Sequence, residues 1–191
     1  DESLDLIVLP EYSEQPSDSL PGKAFLYAAV EAHTDILLAK VSETAKRCHA
    51  IVFANFADKT ETGYRNTTFA FDREGNEVGK YYKAHPAPSE VKREQQGGNE
   101  LDVSYSYQPE DPYVIEIEGV RYGFMTCYDF YFYEAFAAIA RSKVDVIIGC
   151  SLQRSDSHDA IEIMCRFLAY NTNAYVLRSS VSFSEDSEIC G

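Results

Sequence analysis

The sequence predicts an α/β fold in which helices cover the faces of a mixed sheet. Three observations carry that expectation. Apolar runs of strand length recur at LDLIVL (4–9), AIVFANFA (50–57) and VDVIIG (144–149), the kind of strand buried on both faces. Between such runs lie segments whose apolar residues repeat at three and four, the period of an amphipathic helix. Two antiparallel hairpin signals stand among these strand–helix units, so the sheet pattern is mixed.

The elements follow in order. LDLIVL ends at Pro10-Glu11. Residues 24–47 read as a helix: Phe25, Ala28, Ala29, Ile36, Leu37, Val41 and Ala45 form the apolar stripe, Glu31, Lys40, Glu43 and Lys46 fall off it, and an interruption is expected near His33-Thr34. After the strand at 50–57, RNTTFAF (65–71) and EVGKYYK (77–83) flank DREGN, whose Gly75-Asn76 pair signals a hairpin. The stretch from Ala84 to Asp111, rich in Pro, Gly, Ser and charge, is longer than a simple connection and reads as a working loop or lid. YVIEIEG and VRYGFMT form a second hairpin around Glu118-Gly119. The chain then turns at Cys127-Tyr128-Asp129 into a helical stretch, FYFYEAFAAIARS. A strand (144–149), a helix (158–171) and a strand (173–181) complete the pattern.

At about 150 residues per domain, 191 residues with 45% hydrophobic content point to one domain, 1–191, with its own core. Thirty-one acidic against 17 basic residues give a formal charge of −14, which repels phosphate backbones and anionic lipid surfaces. Nucleic acid and membranes are therefore not expected as partners. No run approaches a membrane span, and DESLDLIVLPE lacks the basic start of a signal peptide. Five scattered cysteines without a C-x-x-C pair argue against a disulfide framework and a zinc site, and a reducing cytoplasm is the expected setting.

Glu11, Lys83 and Cys127 each fall at or just past the carboxyl end of a predicted strand, where α/β folds gather chemistry. A thiol with an ordinary pKa of about 8.5 needs a base or a cationic neighbour to become an attacking thiolate. A carboxylate raised toward neutrality by burial can supply the base, and a lysine can supply charge to an oxyanion. His85 offers a different pairing for Cys127, that of a thiol protease. His158 and Glu162 have ligand spacing on one helix, but no third ligand accompanies them, so no metal is expected. No nucleotide-binding glycine pattern occurs, and no cofactor is expected.

VRYGFMTCYDFYFYE resembles the nucleophile motif of the nitrilase superfamily, the carbon–nitrogen hydrolases, whose pattern runs G-x-x-x-C-Y-D-x-x-F-P-E. Gly123, Cys127, Tyr128, Asp129, Phe132 and Glu134 occupy the matching places, with Tyr133 where proline is usual. Leu9-Pro10-Glu11 resembles the segment carrying the family's general base, and RNTTFAFDREGNEVGKYYKAHP the hairpin that delivers its lysine, Lys83. The resemblance implies an α-β-β-α sandwich and hydrolysis of a small amide through a thioester on Cys127. It makes Glu11 the base and assigns Lys83 and the Tyr128 backbone N–H to the oxyanion, with Glu134 orienting substrate and lysine.

Tyr128 resembles the amidase branches more than the nitrilases, with nitrile and N-carbamoyl substrates, or a catalytically lapsed binding homologue, as alternatives. The resemblance further implies homodimers or larger homo-oligomers through helices near 131–142 and 158–171. Their apolar stripes, Phe136, Ala137, Ile139 and Ile161, Met164, Leu168, serve equally as internal core. Relatives begin before the LPE strand and continue past the position of Gly191, so the chain is expected to be trimmed at both termini and poorly behaved as an isolated monomer.

Overall fold

The computed structural model describes residues 4–14, 23–61, 63–88, 90, 112–152 and 157–181. Within them lie eight strands in two four-stranded sheets and three α-helices. The first sheet has the order β1-β2-β3-β4, with β1 Leu6–Val8, β2 Ile51–Thr60, β3 Gly63–Phe71 and β4 Glu77–Tyr82. The second has the order β5-β6-β7-β8, with β5 Val114–Ile117, β6 Val120–Thr126, β7 Val146–Leu152 and β8 Tyr175–Val181. Internal contacts divide the chain into two compact units: Asp1–Ile7 with Tyr12–Ser106, and Val8–Glu11 with Tyr107–Gly191.

In the first unit, β3 runs antiparallel to both β2 and β4, with Asn55 opposite Thr68 and Thr67 opposite Tyr82. The β3–β4 turn uses the Gly75-Asn76 signal. Gly75 has φ +76°, and a β-carbon there would meet the Ser42 carbonyl oxygen at 2.5 Å, so the position demands glycine twice over. Ser42 lies on α1 (Lys23–Cys48), and its hydroxyl donates to the Gly75 carbonyl at 2.6 Å, tying helix to turn. α1 runs unbroken through His33-Thr34. A polar or β-branched residue costs a helix only tenths of a kcal/mol, roughly up to 0.7, which packing of Val41 and Ala45 against the sheet outweighs. Phe53, Phe69 and Tyr64 are the large buried side chains of this core.

In the second unit, β5 and β6 form the hairpin, whose Glu118 and Gly119 both have positive φ, as a tight two-residue turn requires. β6, β7 and β8 are parallel, with Thr126 beside Cys150 and Cys150 beside Ser179. The helices between them are α2 (Tyr133–Ser142) and α3 (His158–Thr172). Each ends on a residue in the left-handed region, Lys143 and Asn173. Met125, Phe130, Ile139, Ile147 and Leu168 are buried in one cluster, with Phe136 and Met164 packed on it. Ile139 and Leu168 of the stripes read from the sequence thus lie in the core, with Phe136 and Met164 against it, while Ile163, Phe167 and Tyr170 of α3 face solvent. Among the described residues no helix is long and apolar enough to cross a membrane.

Candidate active site

Cys127 begins where β6 stops. It is half-buried, opens a 3-10 turn over Cys127–Tyr131, and has φ +45°, a region that costs a residue with a β-carbon free energy and is concentrated at functional sites. Three bonds and packings hold the bend. The buried carboxylate of Asp129 accepts the Thr126 N–H at 2.7 Å, and the Asp129 carbonyl accepts that of Phe132 at 3.2 Å. Phe130 packs beneath, its ring under the Arg178 guanidinium at 5.5 Å and against Gly149, where a β-carbon would come within 2.9 Å of the ring. The Cys127 thiol donates to the Leu152 carbonyl at 3.8 Å. Tyr128 stacks edge-on to Phe132, its ring centroid 5.2 Å away.

Tyr133, the departure from the motif, occupies the first helical position of α2, after Phe132 as N-cap with φ −106° and ψ +116°. Proline favours that place because an N–H there has no intrahelical acceptor. Tyrosine therefore leaves the turn and the register of Glu134 intact. Glu134 itself is exposed in the first turn of α2.

Glu11 belongs to the same unit as Cys127. It is buried, and its N–H donates to the Ser151 carbonyl at the end of β7, 3.2 Å away. Both candidate groups are thus anchored to consecutive carbonyls of one strand, Glu11 to Ser151 and Cys127 to Leu152.

Lys83 lies in the first unit, just past β4, with 1% of its surface exposed. Its N–H donates to the Asn66 carbonyl at 2.9 Å, and its ammonium donates to Glu90 Oε2 at 2.8 Å. Glu90, 4% exposed, also accepts from the Tyr12 hydroxyl at 2.8 Å, from the Asn66 amide at 3.2 Å and from the Ala87 N–H. Asn55 extends the network: its side-chain carbonyl accepts the Tyr12 N–H at 2.9 Å, and its amide donates to Asn66 at 2.8 Å and Thr68 at 3.0 Å. A buried ammonium is costly without a carboxylate and further hydrogen bonds, and Glu90 supplies the charge.

Within the first unit the carboxylate that meets Lys83 is Glu90, a residue the sequence reading did not single out. The signal that could have found it is physical: a lysine expected to be buried needs a nearby acid, and Glu90 stands seven residues on, inside the segment read as a working loop. His85 is half-buried, and residues 89 and 91–111 of the proposed loop lie outside the described residues. Glu162 forms an i,i+4 ion pair with Arg166 on the exposed face of α3. Among the described residues no group of three metal-ligating side chains is arranged to hold an ion. Burial pushes the Cys165 thiol up, against the opposing pull of Arg178.

The fold recurs in solved structures. Over 93% of this chain it matches XC1258 from Xanthomonas campestris, a carbon–nitrogen hydrolase superfamily protein solved with an arsenic adduct in the active site, at 18% identity and a TM-score of 0.66. An amidase of the nitrilase superfamily from Nesterenkonia matches over the same share at 15% identity and 0.66. The glutamine-dependent NAD+ synthetase of Acinetobacter baumannii matches over 92% at 17% identity and 0.71. This chain spans 63% of the length of the first two and 31% of the third. Among curated protein sequences none matches it. The carbon–nitrogen hydrolase family model matches residues 1–183, and the chain belongs to that family.

Proposed function

We propose that the protein hydrolyses the carbon–nitrogen bond of a small amide through a thioester on Cys127. The observation that carries the reading is the backbone of Cys127: a half-buried thiol held at a strand end with φ +45°, the strained strand-to-helix turn that presents a nucleophile. Family membership supports it, as does the Nesterenkonia amidase, a glutamate variant of which carries acrylamide at its active-site cysteine.

The Glu11 carboxylate takes the thiol proton while the sulfur bonds to the amide carbon, and the carbonyl electron pair moves onto oxygen. The Lys83 ammonium and the Tyr128 N–H, in the first turn of the 3-10 segment, stabilise the oxyanion. The oxyanion collapses, the carbon–nitrogen bond breaks, and Glu11 returns its proton to the departing ammonia or amine. Water then loses a proton to Glu11 as it adds to the thioester, and collapse releases the carboxylic acid and restores the thiol. Glu90 fixes the lysine through its ion pair and the Tyr12 and Asn66 bonds, and Glu134 keeps the role of orienting substrate and lysine that the motif gives it. Self-association belongs to the same proposal, through the outward residues Ile163, Phe167 and Tyr170.

Glu11→Gln tests the reading against a thiol-protease pairing. Acylation of Cys127 by an amide is expected to vanish in Glu11→Gln and to fall modestly in His85→Ala. Intact acylation in the first, or abolition only in the second, would contradict the proposal.

A further inference from the structure

Ser151 is fully buried at the carboxyl end of β7, with 0% of its surface exposed. Its hydroxyl oxygen has no hydrogen-bond partner among the described residues. A hydroxyl taken from water without a replacement partner is destabilising, and nearly all such groups in folded proteins are satisfied. One that is not calls for a cause. A partner that arrives with the substrate is such a cause.

The position of the group favours it. The Ser151 carbonyl accepts the N–H of Glu11 at 3.2 Å, and the next carbonyl, that of Leu152, accepts the Cys127 thiol at 3.8 Å. The preceding residue, Cys150, is the register partner of Thr126, which leads into the nucleophile. The main chain of Ser151 and Leu152 is thus bonded to the proposed base and the proposed nucleophile in turn, within one compact unit. The mechanism above makes no use of the Ser151 side chain.

We infer that the Ser151 hydroxyl is a substrate-positioning group that accepts a hydrogen bond from the N–H of the scissile amide. The inference rests on the proposed function. A hydroxyl oxygen can accept as well as donate, and the departing atom of an amide carries hydrogen whereas that of an ester does not. The oxyanion already has two donors, Lys83 and the Tyr128 N–H, so the leaving nitrogen is the reacting group with fewest partners. The bond aligns the nitrogen toward Glu11 before proton return and is gone once ammonia leaves. It acts on acylation, not on hydrolysis of the thioester, and it selects amides over esters.

The test is single-turnover acylation of Cys127, followed by intact mass on the full chain, with a primary amide and the methyl ester of the same acid. Ser151→Ala is expected to slow acylation by the amide about tenfold, the worth of one well-placed hydrogen bond. Acylation by the ester should stay within about twofold of the parent, since it has no N–H to lose. Because the variant removes a buried hydroxyl without a partner, its melting temperature should be unchanged or higher. Equal slowing with both substrates, no slowing with the amide, or a lowered melting temperature would overturn the inference and assign Ser151 a structural part. Failure of the unsubstituted chain to form any adduct with either compound would instead count against the proposed function.

Discussion

Glu90→Gln removes one charge from the Lys83–Glu90 pair while preserving the shape of the side chain. The ammonium and carboxylate are 2.8 Å apart and both are buried, with side chains 2% and 5% exposed. At that separation and an effective dielectric of about 20, their Coulomb attraction is about 6 kcal/mol. Part of it survives indirectly, because the glutamine oxygen can still accept from the Tyr12 hydroxyl or the Asn66 amide. What is left uncompensated is a buried ammonium, and breaking such a pair costs about 3–5 kcal/mol. Urea unfolding of Glu90→Gln, Lys83→Met and the double variant measures this. Each single substitution is expected to lose about 3–5 kcal/mol, and the double variant clearly less than the sum, since it buries no lone charge. Losses that add to within about 0.5 kcal/mol, or a loss below about 1 kcal/mol for Glu90→Gln, the worth of an exposed pair, would show that the pair does not act as a buried one.

Three further expectations concern the elements that frame the site. Tyr133→Pro, at the first position of α2 behind an extended Phe132, should raise stability by about 0.4–1 kcal/mol in thermal or urea unfolding, and a loss would show that the α2 start depends on the tyrosine. Gly149→Ala should cost about 1–3 kcal/mol, because its β-carbon would press the Phe130 ring at 2.9 Å, and it should slow Cys127 acylation by disturbing the turn; a neutral result would mean that Phe130 is free to shift. Asp72 is pushed up by burial, but hydrogen bonds from Asn76 and from the Glu74 and Gly75 backbone outweigh this and hold it below its ordinary value of 3.8. Its charged form therefore stabilises the fold fully above that value and ceases to as pH falls through the lower folded one. The stability gap between the parent chain and Asp72→Ala should be constant from neutral pH to about 5 and shrink below about 4, as urea midpoints at each pH would show; a gap that widens on acidification would reverse the assignment.

What could be read from the sequence differs by residue, for physical reasons. The β3–β4 and β5–β6 turns were legible because Gly75 and Glu118-Gly119 carry the backbone conformations those turns require. Cys127 was legible through its motif and through its place after an apolar run, and its strained backbone is consistent with both. The unbroken α1 was not, because the weak local cost at His33-Thr34 is outweighed by packing that a linear pattern does not display. Nor did the pattern decide whether the stripes of α2 and α3 face core or partner; Ile139 and Leu168 are buried within their own unit. Glu90 and Ser151 escaped for a shared reason. Ser151 matters through the Glu11 main chain and Glu90 in part through Tyr12, 78 residues away, contacts that leave no mark on local sequence; only the need of a buried lysine for a nearby acid pointed to Glu90.

The proposed reaction depends on a covalent acyl intermediate at Cys127. Intact mass spectrometry of the chain incubated with a panel of amides, ureides and nitriles, followed by peptide mapping, tests it most directly. An acyl adduct on Cys127 is expected with at least one amide, and neither adduct nor turnover in Cys127→Ala. Hydrolysis of the same amide that persists in Cys127→Ala, or an adduct confined to another cysteine, would contradict it.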